Sequence, residues 1–290
     1  TSPMKTPPTL KSLVEDGIVD EVMYSLMSGK EATVYVVRCG DEIRCAKVYK
    51  DAYKRSFKKA VQYQEGRKVR NSRRARAMDK RSKFGRDQQE EAWQNAEVNA
   101  LYRLDRAGVR VPKPFGCFDG VLLMELVTDD DGDVAPRLDD VILTEEQALE
   151  DHELMMHYIK LMLCAGLVHG DLSEFNVLLD AYGPVIIDLP QAVNAAANNN
   201  AQAMFTRDVN KMTQYYSNFA PVLAQTEYAK EMWALFADGE LKPETELTGL
   251  FYDDGENADV DSVLDEIKAV IQEEQEERER LQRLLGDDED

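Results

Sequence analysis

The run His169-Gly170-Asp171-Leu172-Ser173-Glu174-Phe175-Asn176, followed by Ile186-Ile187-Asp188, constrains this chain more than any other segment. It places a carboxylate and a carboxamide on one loop and brings a second carboxylate to the end of a hairpin. That hairpin is read from Val177-Leu178-Leu179 and Val185-Ile186-Ile187 flanking Asp180-Ala181-Tyr182-Gly183-Pro184. A carboxylate within hydrogen-bond reach of a hydroxyl can orient it or take its proton. An amide oxygen and a carboxylate together suit magnesium, a hard cation that prefers oxygen ligands. The H-x-D-x4-N spacing with a following aspartate is the layout of a phosphoryl-transfer loop. Asp171 is therefore read as catalytic, Asn176 and Asp188 as metal ligands with Asp188 also catalytic, and His169 as a prop for the loop. A polar turn between strands would explain each residue singly, but not the three in register.

Phosphoryl transfer from ATP also needs a phosphate-holding loop and a lysine steadied by a helix carboxylate. Lys47 lies on a strand-like run, Ile43-Arg44-Cys45-Ala46-Lys47-Val48-Tyr49, and Glu97, flanked by Val98 and Leu101, is its best helix partner; Glu90 and Glu91 compete. An exposed Lys–Glu pair of little energetic weight is the plainer alternative. Ser28-Gly29-Lys30-Glu31-Ala32-Thr33-Val34-Tyr35 stands where the phosphate loop should be, with Gly29 permitting close backbone approach. It lacks both G-x-G-x-x-G and Walker spacing. Val34, Ala46 and Leu178 are expected to sandwich adenine, although each would serve equally as a core residue.

Periodicity gives an α+β plan, a small antiparallel-sheet lobe with one main helix and then a mostly helical lobe; together with the 169–176 loop the expectation is a bilobal protein-kinase-like fold, whose second lobe the resemblance given below implies is reduced. Apolar residues Ile18, Val19, Val22, Met23 and Leu26 are spaced as in a helix, predicting one over 16–27. Thr33–Val37 and the Lys47 run flank Cys39-Gly40-Asp41-Glu42 as a hairpin. A helix is expected over 88–107, with Trp93, Val98, Leu101 and Leu104 on one face and Gly108 at its end. Val121 to Leu126 reads as a buried strand, and helical spacing resumes after Thr144. The expected divisions are an extension at 1–15, a first lobe at 16–126, a second at 127–252, and an acidic amphipathic helix and tail at 253–290. Thr1-Ser2-Pro3 reads as a remnant ahead of a native start at Met4.

The net charge of -20 conceals a basic insert at 50–86, where fifteen Lys and Arg face only Asp51, Glu65 and Asp79. With few apolar anchors it is expected to be a mobile loop, suited either to phosphates of RNA or a ribosomal particle or to the acidic surface of its own chain. Cys39, Cys45, Cys117 and Cys164 show no CxxC spacing, and the three histidines no i, i+4 pair, so no transition-metal site is expected. No apolar stretch approaches the roughly 20 residues of a membrane span, so no membrane partner and a cytoplasmic location are expected.

Taken together these segments resemble the RIO-type atypical serine/threonine protein kinases, in the subfamily without an amino-terminal winged helix. The resemblance rests on Gly29-Lys30-Glu31-Ala32, Ala46-Lys47-Val48-Tyr49, the helix around Glu97, the 169–176 loop, Asp188-Leu189-Pro190-Gln191 and Phe205-Thr206-Arg207-Asp208-Val209. It implies ATP with magnesium, or alternatively manganese, bound between the lobes. Adenine would meet backbone groups of Met124-Glu125-Leu126-Val127, and Gly29, Lys30, Glu31 and Ala32 would cover the phosphates. It further implies ATPase as well as kinase activity, a transient aspartyl phosphate on Asp188, and a role in maturation of the small ribosomal subunit. Autophosphorylation is implied on a serine of the flexible loop, here Ser56, Ser72 or Ser82. Ser173 stands where many protein kinases carry a lysine, which removes one cationic donor and predicts slow turnover. Two other readings compete: a small-molecule phosphotransferase of the aminoglycoside or choline kinase type, and an ATP-gated RNA-binding module.

Overall fold

The structure is a computed structural model that describes residues 4–50, 96–252 and 258–286. The basic insert beyond Lys50, with Ser56, Ser72 and Ser82, and also Glu90, Glu91 and Trp93 lie outside the described residues.

Five antiparallel strands form the first lobe: β1 (Glu21–Ser28), β2 (Ala32–Cys39), β3 (Glu42–Tyr49), β4 (Pro114–Phe118) and β5 (Val121–Glu125), in the order β1-β2-β3-β5-β4. The turns follow from their residues. Gly40, at φ 65°, opens the two-residue β2–β3 connection, and Asp119-Gly120, at φ 49° and 77°, close β4 onto β5 as Asp-Gly does in a type I′ hairpin. The helix expected over 16–27 is absent: α1 is the short Lys11–Glu15, and Glu21–Ser28 is strand. The reason is visible in the β1–β2 register, which slips between Val22 and Tyr24 and again between Ser25 and Met27. Two bulges each insert a residue, so period-2 alternation becomes the i, i+1, i+4 spacing that imitates a helix.

Both faces of the sheet are covered. Leu10, Leu13 and Val19 pack on Val22, Val37, Ala46, Val48, Val121 and Leu123 on the outer face. On the inner face Tyr49 and Leu122 meet Val98, Leu101 and Leu104 of α2 (Ala96–Arg106), part of the core that continues into the second lobe. Each such fully buried aliphatic side chain contributes about 1.5–3 kcal/mol.

The second lobe is built on α3 (Glu145–Cys164), α4 (Ala201–Ser217) and α5 (Tyr228–Ala237). Thr144 opens α3 with a capping box: its Oγ1 accepts from Gln147 N–H at 3.1 Å, while Gln147 Oε1 accepts from Thr144 N–H at 3.0 Å. Two small antiparallel pairs, β6 (Leu167–Val168) with β9 (Val193–Asn194) and, between them in the chain, the hairpin of β7 (Val177–Asp180) with β8 (Gly183–Ile186), carry the residues between α3 and α4. The expected bilobal α+β, protein-kinase-like arrangement is the one observed. A last helix, α6 (Ala258–Gly286), meets α3 through Arg278 and Glu145 at 2.7 Å, with Val263, Val270, Leu281 and Leu284 exposed. Among the described residues no helix is long and apolar enough to cross a membrane.

His152 of α3 lies buried against α4 and α5, bonded to Thr213 Oγ1 at 2.9 Å and edge-on to Tyr216 and Tyr228. Burial lowers its pKa from 6.5 to about 4. Between these values the unfolded chain holds a proton that the folded chain does not, so stability falls as pH falls through the window, by up to about 3 kcal/mol. Asp151, raised to about 6 by burial and by Glu150, acts in the opposite sense over its own window. His152→Gln should therefore reduce the difference in unfolding free energy between pH 7 and pH 4.5 by about 2–3 kcal/mol relative to the parent, in urea titrations. An unchanged difference would count against a neutral buried His152.

Candidate active site

Strand parity decides which side of β3 meets the cleft. Successive side chains alternate, so Cys45, Lys47 and Tyr49 face inward while Ala46 and Val48 join the outer cluster. Lys47 Nζ bonds Glu97 Oε1, and Tyr49 Oη donates to Glu97 Oε2 at 3.0 Å. The Lys47 and Glu97 side chains are only 12% and 7% exposed. Asp188 Oδ1 stands 4.0 Å from the same ammonium. Removing one partner of so buried a pair strands the other without compensation, a loss of about 3–5 kcal/mol.

The 169–176 loop is held from beneath by its backbone. His169 is buried; its Nδ1 accepts from Asp171 N–H at 3.1 Å, which leaves Nε2–H to donate to Ile187 O at 2.9 Å. The prop expected of His169 thus joins the loop to the residue before Asp188. Gly170 has φ 89°, and a Cβ there would meet Gln191 O and Met204 Cε at 2.7 Å, so only glycine fits. The buried Asp208 of α4 accepts from Gly170 N–H at 2.8 Å and Leu172 N–H at 3.0 Å, while Arg207 donates to Gly170 O at 2.8 Å. Burial raises the pKa of Asp208, against the pull of the Gly170 and Leu172 N–H groups. Asn176 Nδ2 donates to Asp171 O and lies 3.4 Å from Asp171 Oδ2. With its nitrogen so engaged, Asn176 has its amide oxygen to offer a cation. Ile187 N–H donates to Asn176 O at 2.9 Å, which ties Asn176 to the segment carrying Asp188. Asp188 itself adopts φ 56°, a left-handed conformation uncommon outside glycine.

A cavity of about 300 Å³ lies between the lobes, the size of a small-molecule site. Of the residues expected at the site, Val34, Lys47, Glu97, Met124, Glu125, Val127, Leu178 and Asp188 line it. Asp171 and Asn176 do not; they lie on the 169–176 loop, which the Ile187–Asn176 backbone bond joins to the residue before Asp188. Gly29, Lys30, Glu31 and Ala32 do not line it either. They form the β1–β2 turn, closed by Gly29 N–H to Ala32 O at 2.9 Å, beyond the Met27–Val34 pair that does. Ala46 is replaced by Cys45, as β3 parity requires. Leu26 and Met27 also line the cavity and were missed with the strand that carries them. So was the segment at Val134, Ala135 and Arg137, which folds back through Ala135 N–H to Val127 O at 3.0 Å. Two N–H groups, of Asp131 and Asp133, cap Asp129 Oδ1 at its tip. The Glu125 carboxylate is held by Arg110 Nη1 and by Lys113 N–H, both at 3.1 Å.

The chain is similar to known proteins. The RIO domain family profile matches residues 33–229. The RIO-type serine/threonine-protein kinase Rio1 of Haloferax volcanii is 36% identical over 208 residues, covering 70% of this chain and 66% of that protein. Human serine/threonine-protein kinase RIO1 is 33% identical over 186 residues, covering 63% of this chain and 31% of its own length. The chain thus spans less than two thirds of these relatives. Among solved structures, the PknI kinase domain of Mycobacterium tuberculosis aligns at TM-score 0.43 and 16% identity, over 75% of this chain and 88% of that one.

Asp208 is the support whose loss the loop should feel most. Asp208→Ala leaves two N–H groups buried without an acceptor, and a loss of about 2–4 kcal/mol in urea unfolding is expected. A loss below about 1 kcal/mol would mean that the loop is held by other contacts.

Proposed function

This chain belongs to the RIO kinase family, and on that premise we propose that it transfers the γ-phosphoryl group of ATP to serine or threonine hydroxyls, its own among them. The observation that carries the reading is the buried Lys47–Glu97 pair with Asp188 4.0 Å from the Lys47 ammonium, at the end of an apolar cavity. Adenine would lie between Val34 and Leu178, against backbone groups of 125–127, with Cys45 on the β3 side. Lys47, held by Glu97 and Tyr49, would reach the α- and β-phosphates. Gly29 to Ala32, at the turn above, would cover the phosphates with their backbone.

The Asn176 amide oxygen and the Asp188 carboxylate are hard donors that fit magnesium, with phosphate and water oxygens completing the shell. When bound, magnesium would neutralise charge on the phosphates. Asp171 would orient the attacking hydroxyl and take its proton, its position set by the Asp208 and His169 contacts below. Ser173 provides no cation, so the developing charge on the transferred phosphoryl group has one fewer donor and turnover is slow. The basic stretch 50–86 is proposed to contact RNA phosphates, of a ribosomal particle or otherwise, on the strength of its charge.

With labelled ATP and magnesium, the protein should label itself. Label only on an added small alcohol or aminoglycoside would favour the small-molecule phosphotransferase instead. Asp171→Ala and Asp188→Ala should each lower the rate by at least about 100-fold, whereas Lys47→Ala should chiefly raise the KM for ATP. Undiminished labelling in either aspartate variant would remove the roles assigned. RNA binding should weaken with salt and on changing Arg73, Arg74 and Arg76 together to alanine; affinity indifferent to both would dismiss the RNA contact.

A further inference from the structure

Arg110 lies in the connection between α2 and β4 and touches both lobes. Its guanidinium donates to Glu125, the last residue of β5, through Nη1 to Oε1 at 3.1 Å and through Nη2 to Oε2 at 3.4 Å. Nη2 also donates to Asp180 Oδ2, at the end of β7, at 2.6 Å. Its backbone oxygen accepts from Ile186 N–H, at the end of β8, at 2.9 Å. One residue therefore ties the hinge end of the sheet to both strands of the hairpin that carries Leu178 on one side and leads into Asp188 on the other. Glu125 is fixed further by its own backbone, donating to Lys113 O at 2.8 Å.

The chemistry is specific to arginine. Burial by itself would weaken the hold of Arg110 on its proton, yet the hydrogen bonds and charges of Glu125 and Asp180 more than compensate, and its pKa is raised. The Asp180 side chain is 6% exposed; Tyr182 N–H donates to its Oδ1 at 2.9 Å, and Arg110 meets its charge through Oδ2. A planar fork can serve two carboxylates in fixed directions, which a single ammonium cannot. None of the three side chains faces a reacting atom: Glu125 is occupied by Arg110 and Lys113, and Asp180 lies at the far end of its strand from Asn176.

We propose that Arg110 is a positioning residue for the nucleotide. By bridging Glu125 to Asp180 it sets the angle between the lobes at the hinge, and with it the distance from the adenine-contacting backbone of 125–127 to the Leu178 floor. The inference rests on the reading of the cavity as an ATP site. It is a claim about ground-state binding, because the phosphate end of the cleft is organised separately by Lys47, Glu97 and Asp188.

The test uses the full chain with Arg110→Lys and, independently, Asp180→Asn, which keeps shape and hydrogen-bonding capacity should the first variant fail to fold. Autophosphorylation rates are followed against ATP concentration, with thermal midpoints alongside. The KM for ATP should rise about threefold or more in each folded variant, with kcat within about twofold of the parent. A smaller rise in KM, or a kcat that falls in step with the thermal midpoint, would overturn the proposal and leave Arg110 a structural ion pair. ATP titration of the parent keeps the two readings apart: no binding there defeats the ATP site itself, whereas normal binding with unaltered variants defeats only Arg110.

Discussion

An ammonium and a carboxylate removed from water together, Lys47 and Glu97, govern how the first lobe must be built. Neither charge is tolerable at such burial alone, so β3 has to present Lys47 inward and α2 has to present Glu97 to the same point. Tyr49, two residues along on the same face, completes the arrangement by donating to the second carboxylate oxygen. Once that parity is set, Cys45 must face the cavity and Ala46 and Val48 must join the outer cluster. The sheet's covering on both sides, by α2 within and by Leu10 and Leu13 without, follows from the same alternation.

The second lobe solves a different problem, which is to hold a polar loop still at the edge of solvent. It does so mainly through backbone groups: two N–H donors to Asp208, one carbonyl to Arg207, and the two nitrogens of His169 in opposite roles. The side chain of Leu172, buried in the core beside a buried Ser173, anchors the loop next to the exposed Asp171. Asp171 therefore needs no side-chain support of its own beyond Asn176. The left-handed backbone at Asp188 is tolerable because Ile187 is pinned on both of its peptide groups, to Asn176 and to His169.

What could be read in the sequence was local. The 169–176 loop and Asp188 are close in the chain, and their spacing suggested the proposed chemistry directly; the start of α3 near Thr144 and the β2–β3 turn were legible for the same reason. β1 was not, because bulges at Met23 and Leu26 erased its period. Ala46 in place of Cys45 was an avoidable error: parity from Lys47 was present in the sequence. The fold-back at 127–135 and the joining of Arg110 to Asp180, 70 residues on, depend on tertiary contact and leave no local pattern. Glu97, by contrast, was found because its apolar neighbours marked the buried face of its helix.

Cys45 gives the cavity a sulfur atom beside Lys47. Burial lifts its thiol to about 12, so at neutral pH almost none of it is thiolate, the form that alkylating agents and peroxides attack. A cysteine in the wall of this cleft is therefore a packing residue held as the neutral thiol, an apolar surface rather than a nucleophile on the β3 side of the cavity.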